Sequence, residues 1–304
     1  MNENRSESAP VLVVGATGDL GGRVVRELLK RGKHVRALVR EGSDAEALAA
    51  EGVEIARGDL LEPDSLERAL RGARAVLTTA TGYTRNGASN PAVDDQGNRN
   101  LVDAAARTGV ERFVFTSVAT ADRAQSVEVF WQKKLTEDYL ERSGVPFVAL
   151  RPGTLVGGEQ DFWERDLRKD RLTAFGDPDT PHTLVHIDDV AAYLARAVDE
   201  PDAVGRRIEI GMEHPVSNRE LAKTFSKLRG REIKLRAIPW PLLSGAMRIA
   251  GLFSRKIRDF RSLLAYFASG KYVADTRAQA EVFGDTPAVD DSLRRYLEQK
   301  RLAA

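Results

Sequence analysis

The spacing with the clearest chemical consequence lies near the start of the chain, in Gly15-Ala16-Thr17-Gly18-Asp19-Leu20-Gly21-Gly22. It separates the apolar run Val11–Val14 from a stretch of helical periodicity, so the predicted context is strand, tight turn, helix start. In that context Gly15 permits the turn, Gly18 lets backbone approach a pyrophosphate, and Gly21 lets helix and strand pack closely. The helix N-terminus then offers free N–H groups and a positive dipole end to phosphate. A nucleoside triphosphate loop is excluded, because no Gly-Lys-Ser/Thr ending follows. The expected contact set for a dinucleotide is Gly15, Thr17, Gly18, Asp19, Leu20 and Gly21.

The end of the second apolar run, Val35-Arg36-Ala37-Leu38-Val39-Arg40, bears on which dinucleotide. An acidic residue there would accept a ribose 2′-hydroxyl, whereas a cation suits a 2′-phosphate. Arg40 occupies the place, and its planar guanidinium can give a phosphate two charge-assisted bonds. The expectation is therefore NADP(H).

These residues need a scaffold, and the pattern predicts one. Short apolar runs alternate with helical periodicity, the signature of β-α-β units on a parallel sheet. Strands are predicted at Val11–Val14, His34–Val39, Val53–Ala56, Ala75–Thr79, Arg112–Ser117 and Pro146–Leu150. Helices are predicted at Leu20–Lys30, Asp44–Ala50, Ser65–Arg71, Gln96–Arg107 and Val127–Arg142, the second opened by a capping box of Ser43 and Glu46. After Arg151 the rhythm breaks, and residues 152–185 read as irregular. A helix His186–Val198, a strand Arg207–Ile210, a helix Ser217–Leu228 with a second capping box (Ser217, Glu220) and a last helix Asp290–Leu302 follow.

The expected fold class is α/β: a Rossmann-like doubly wound parallel sheet with a smaller mixed, mainly helical C-terminal substrate cap. Residues 1–10 read as a disordered tail, 11–151 as the NAD(P)-binding domain with 186–200 packing on it, and 152–304 as the cap. Composition narrows the classes further. Cysteine is absent, which removes disulfides, thiolate metal sites and thiol nucleophiles. With 46 Lys+Arg against 45 Asp+Glu the net charge is +1, so the expected partner is a small-molecule substrate and no nucleic acid. The polar N-terminus reads as neither signal nor transit peptide, and no apolar run approaches the roughly 20 residues of a membrane span. A cytoplasmic protein is expected, and a homodimer is compatible with these features.

The glycine loop, Arg40 and Gly58-Asp59-Leu60 together resemble the atypical short-chain dehydrogenase/reductases of the NmrA-like, NAD(P)-binding group. The resemblance continues through Gly97–Ala105, Arg112–Ser117, Ser143–Pro146, Arg151–Thr154 and His186–Val190, so it spans about residues 11–200. It implies that Asp59 and Leu60 meet the adenine, that Thr79 and Ala80 line a cofactor ribose, and that Pro152, Gly153 and Thr154 lie near the nicotinamide. It also implies Ser117 as a hydrogen-bond donor to substrate and Lys133 on the nicotinamide ribose. The usual catalytic tyrosine would stand four residues before Lys133, and Val129 stands there instead. Acid–base work then falls on Lys133 itself, on Tyr83 or on His182.

The resemblance implies an NADPH-dependent reductase of a small, aromatic or polyketide-like carbonyl or enone. A noncatalytic NADP(H) sensor and a non-redox isomerase or cyclase on the same fold are its rivals. No metal is expected: His182 and His186 are separated by an extended Thr183-Leu184-Val185, which sets them roughly 13 Å apart. Phe130 and Trp131 are expected to wall a pocket or pack a helix. The basic, apolar stretch Arg231–Arg261, with eight cations and two acids, reads as paired cap helices whose apolar face covers the site, with a membrane surface as the other option.

Overall fold

The computed structural model describes residues 9–82, 92–159 and 163–303. The chain divides into two compact units. The first comprises residues up to Ser117 with Gln132–Arg151 and Asp188–Ile208, and the second Val118–Trp131, Pro152–Ile187 and Glu209–Ala304.

In the first unit β1 (Val11–Val14) leads into α1 (Asp19–Lys30), followed by β2 (Val35–Val39), α2 (Glu46–Ala50), β3 (Glu54–Arg57), α3 (Pro63–Leu70) and β4 (Ala75–Thr78). A π-helical turn at Val93–Gly97 then runs into α4 (Asn98–Thr108) and β5 (Arg112–Thr116). The helix α5 (Glu128–Ser143) and the strand β6 (Phe147–Pro152) come next. With a later strand, Arg207–Ile210, they form a seven-stranded sheet that reads outward from it as β6-β5-β4-β1-β2-β3. β1 pairs with β2 and β4, β2 with β3, β4 with β5 and β5 with β6, all in parallel.

This order explains why β1 can be apolar at every position. Parallel partners on both edges and helices on both faces bury each residue of Val11–Val14. The chain moves one way from β1 to β2 and β3, then crosses to β4 and onward. The reversal falls between β1 and β4, and the carboxyl ends of those two strands flank the crevice where α/β sheets bind ligands. Gly15 follows one strand and Thr79 and Ala80 the other. Leu12, Val14, Leu66, Leu70, Val76, Leu101, Phe113 and Phe115 fill the core beneath.

The second unit departs from the expectation of an irregular 152–185. It holds β7 (Thr154–Val156), the helical turn α6 (Glu164–Leu167), β8 (Arg171–Phe175), β9 (Pro181–His182) and β10 (Leu184–His186). After α7 (Ile187–Ala197) and β11, the strand Arg207–Ile210, come β12 (Val216–Ser217), α8 (Asn218–Arg229) and β13 (Lys234–Ile238). β8 pairs with β13, β9 with β12 and β10 with β7. Strands this short carry too little alternation to stand out, and their partners lie far along the chain. The chain ends in α9 (Trp240–Ala250), α10 (Arg255–Ala268), α11 (Arg277–Phe283) and α12 (Val289–Gln299).

Three local expectations need correction. Ser43 does not cap α2: Ala45 is its N-cap, and the Glu46 N–H is taken by the Asp44 carboxylate at 2.9 Å. Ser217 does cap α8, accepting from the Glu220 N–H at 3.2 Å, but the Glu220 carboxylate meets His214 at 2.7 Å, so the cap is one-sided. His186 ends β10, and α7 starts one residue later.

Candidate functional site

The glycine loop is built as tightly as its spacing suggests. Gly15 has φ +89°, and the Gly18 N–H returns to the Gly15 carbonyl at 3.0 Å, closing the turn. A Cβ on Gly21 would lie 2.0 Å from the Gly15 carbonyl oxygen, so only glycine fits. Gly18 is the N-cap of α1. Among the described residues no side chain caps the start of α1, the end of a helix that offers N–H groups and a positive dipole to phosphate. Asp19 and Leu20 are half-buried and Thr17 is exposed; the Asp19 carboxylate is taken by Arg23 at 2.8 Å, which also meets Asp188. Asp19 thus contributes to the loop through its backbone.

A cavity of about 450 Å³ opens at the ends of β2 and β3. Arg40, Arg57, Asp59 and Arg68 are among its lining residues, and Glu41 and Glu62 line it too. Arg40 is exposed, and among the described residues its guanidinium has no hydrogen-bond or ion-pair partner. Arg57, absent from the sequence reading, is aligned with Val39 across the parallel pair, which sets Arg40 and Arg57 at neighbouring strand ends. Its Nη1 donates to the carbonyls of Arg40 at 3.0 Å and Ser43 at 2.9 Å, holding the Arg40 loop in place. Asp59 accepts from the Leu61 N–H at 2.8 Å, a turn role beside its place in the cavity wall. The Leu60 side chain, expected at an adenine, is buried in the core, where its carbonyl accepts from Asn100.

The third feature is a buried cation. Lys133 on α5 is 8% exposed, and its Nζ donates to the Ala80 carbonyl at 3.2 Å. The Ala80 nitrogen lies 3.0 Å from where a Cβ on Gly15 would stand, so Ala80 ties the ammonium group to the glycine loop. Thr79 joins the same knot, its Oγ1 near the Val14 and Gly15 carbonyls at 3.4 Å. Burial lowers the Lys133 pKa, and the carboxylate of Asp94, with Oδ1 at 3.8 Å, opposes that fall. The Nζ also sits 5.1 Å from the Phe115 ring centre. Beneath Lys133 on the same helix, buried Glu137 holds Arg151 through two bonds at 2.9 and 2.6 Å and Arg207 at 3.1 Å, which fixes the helix against the strands carrying those arginines.

Asp94 is a residue that sequence reasoning missed. It is buried within the π-helical turn, its Oδ2 accepts from the Gly82 N–H at 3.0 Å, and its Oδ1 has no hydrogen-bond partner among the described residues. Interruptions of this kind gather at functional sites, but nothing in the spacing of Asp94-Asp95 announces one. Ser117, at the end of β5, is 5% exposed and its Oγ likewise has no partner among the described residues. A buried hydroxyl left open in this way fits a bound group.

The remaining predicted residues lie elsewhere. Tyr83 lies outside the described residues. Pro152, Gly153 and Thr154 belong to the second unit, where Gly153 packs so closely on Thr183 that a Cβ would fall 2.6 Å from its carbonyl oxygen. His182 is also there, its pKa lowered by burial and its Nδ1 unpartnered. Phe130 serves packing: it joins Tyr266, Phe267 and Tyr272 in an aromatic cluster against which Val129 rests. Among the described residues no group of three or more His, Asp or Glu side chains is placed to hold a metal.

A glycine cradle no side chain could fill, an uncapped helix start, an open guanidinium and a buried lysine define a Rossmann-type α/β protein fitted to a phosphate-bearing ligand. The chain belongs to the NmrA-like family, which matches residues 7–263. It is 26% identical over 293 residues to the photosystem II assembly factor Ycf39 of Synechocystis sp., covering 95% of this chain and 90% of that one. Its fold is similar to that of the Citrobacter sp. triphenylmethane reductase complexed with NADP(H), with a TM-score of 0.75, 21% identity and coverage of 94% and 100% of the two chains. It is also similar to the NADPH-dependent quinone oxidoreductase of Escherichia coli complexed with NADPH, with a TM-score of 0.75, 22% identity and coverage of 95% and 99%.

Proposed function

We propose that the protein is an NADPH-dependent reductase of a small, flat carbonyl, quinone or enone. The observation that carries this reading is the buried Lys133 ammonium group, tied through Ala80 to the glycine loop. The loop and the start of α1 hold the pyrophosphate, and Arg40, braced by Arg57, takes the 2′-phosphate. Bound NADPH supplies the hydride. An ammonium group has three donors, and Ala80 takes one of them, so Lys133 retains a proton to orient the cofactor ribose and to deliver to the substrate oxygen. Ser117 Oγ donates to that oxygen as negative charge develops on it. The reductase names of the two structural neighbours support the reading.

A second reading is favoured by Val129, which stands where the family's proton donor would be, and by the likeness to a named assembly factor. In it the protein binds NADP(H) and regulates a partner without turnover. NADPH fluorescence titration followed by NADPH consumption with quinones, enones and ketones separates the two. The reductase reading expects tight binding and turnover that Lys133→Met reduces at least about 100-fold. Tight binding with no consumption across the panel supports the regulatory reading instead.

A further inference from the structure

The helices α9 and α10 were expected to turn their apolar side inward; on α9 Trp240, Leu243 and Met247 do so and are half-buried, while a second apolar stripe faces out and none of the residues of α9 is buried. Leu242, Gly245, Ala246 and Ile249 fall on one face of α9 by their spacing, Leu252 and Phe253 follow in the turn after it, and all six are exposed. Leu242 is 70% exposed, Ile249 67%, Leu252 73% and Phe253 89%, four of the seven exposed large hydrophobic side chains among the described residues. The other side of α9 is half-buried, and Ser244 on it accepts from Arg261 of α10 at 3.2 Å. Arg258 of α10 donates to the Gly251 carbonyl at 3.1 Å, anchoring the turn that presents Leu252 and Phe253. The outward stripe is thus held by the hairpin and does not belong to a frayed end.

The charges beside the stripe are mostly positive. Arg248, Arg255, Lys256, Arg258 and Arg261 stand with two acids, Asp259 and Glu128 of α5, which pairs with Arg255 at 3.1 Å, so a positive excess remains in a chain whose overall charge is only +1. This decides what covers the face. A second copy meeting it about a two-fold axis would bring the same cations against themselves, which is unfavourable. A lipid surface with anionic headgroups matches both parts: apolar side chains enter the acyl boundary while the flanking cations meet the headgroups. Among the described residues no helix is long and apolar enough to cross a membrane, so the contact is one that lies on the surface.

We propose that the α9–α10 hairpin is a reversible docking site for an anionic lipid surface, with Leu242, Ile249, Leu252 and Phe253 as the inserting side chains and Arg248 and Lys256 at the headgroups. The test is co-sedimentation of the full chain with vesicles of phosphatidylcholine alone and of phosphatidylcholine with phosphatidylglycerol. The wild type sediments with the anionic vesicles, releases as salt is raised, and binds phosphatidylcholine alone at least about tenfold more weakly. Leu252→Glu with Phe253→Glu lowers binding to anionic vesicles at least about tenfold, and so does Arg248→Glu with Lys256→Glu. An unchanged thermal melt and unchanged NADPH affinity show that each variant is folded. Wild type that ignores anionic vesicles, binds both compositions equally, or binds unchanged in the variants overturns the proposal. So does a wild-type dimer that Phe253→Glu converts to a monomer without vesicle binding, which assigns the face to a second copy. Capture of an acidic protein by a face that does not bind vesicles overturns it in favour of a protein partner.

Discussion

Replacing Asp94 by Asn removes a buried negative charge while preserving shape, because the amide oxygen can still accept from the Gly82 N–H. The carboxylate lies 3.8 Å from Lys133 Nζ. At an effective dielectric constant of about 20, a pair at this distance attracts by about 4 kcal/mol. That attraction favours the protonated amine, so the Lys133 titration midpoint falls further in the variant. Desolvation already pulls the midpoint below the ordinary lysine value, so the substitution deepens an existing shift. The assay is 13C NMR of protein labelled at lysine Cε, with Lys133 assigned as the signal of the eleven lysines that Lys133→Met removes. It needs no substrate and no turnover. A midpoint that stays put or rises in Asp94→Asn would show that the carboxylate does not act on Lys133, and the assignment of Asp94 would be withdrawn.

Other consequences follow from the same geometry. Arg40→Ala should weaken NADPH binding by about 1.5–3 kcal/mol, roughly 10–150-fold, and leave NADH binding nearly unchanged, as measured by fluorescence titration. Equal losses for both cofactors would separate Arg40 from the 2′-phosphate. Gly21→Ala forces a Cβ to within 2.0 Å of the Gly15 carbonyl oxygen, so NADPH binding should be lost and the melting temperature should drop; a fully binding, fully stable variant would contradict the loop geometry. Because burial holds the His182 pKa below its ordinary 6.5, its contribution to stability is complete above that pH and falls away as acid is added toward the folded value. In urea melts His182→Phe should therefore show a shallower loss of stability below pH 6.5 than the wild type, and parallel curves would argue that the ring titrates normally.

How far the chain could be read in advance depended on how strongly each residue's neighbours constrain its type. Val11–Val14 and Phe113–Phe115 lie in strands buried on both faces, and burial leaves a continuous apolar run that sequence displays directly. Gly15 and Gly21 were legible because the backbone there excludes every other residue. Arg57 was not, since an arginine at a strand end looks the same whether it solvates a surface or braces Arg40. Asp94 gave no signal because its meaning comes from Lys133, about 40 positions away, and from a π-helical turn that hydrophobic periodicity does not encode. The exposed apolar stripe of α9 was not legible for a related reason: periodicity shows that a helix has two faces, while the tertiary packing decides which one meets water.

The central claim, that hydride moves from NADPH to substrate beside Lys133, is tested most directly with NADPH deuterated at C4 of the nicotinamide ring and a quinone or enone that the protein consumes. The account predicts that mass spectrometry finds one stereochemical form of the labelled cofactor passing its deuterium to product, and that Lys133→Met suppresses the transfer while NADPH remains bound. Saturating NADPH with no deuterium in any product would contradict it and leave a protein that holds the cofactor without using it.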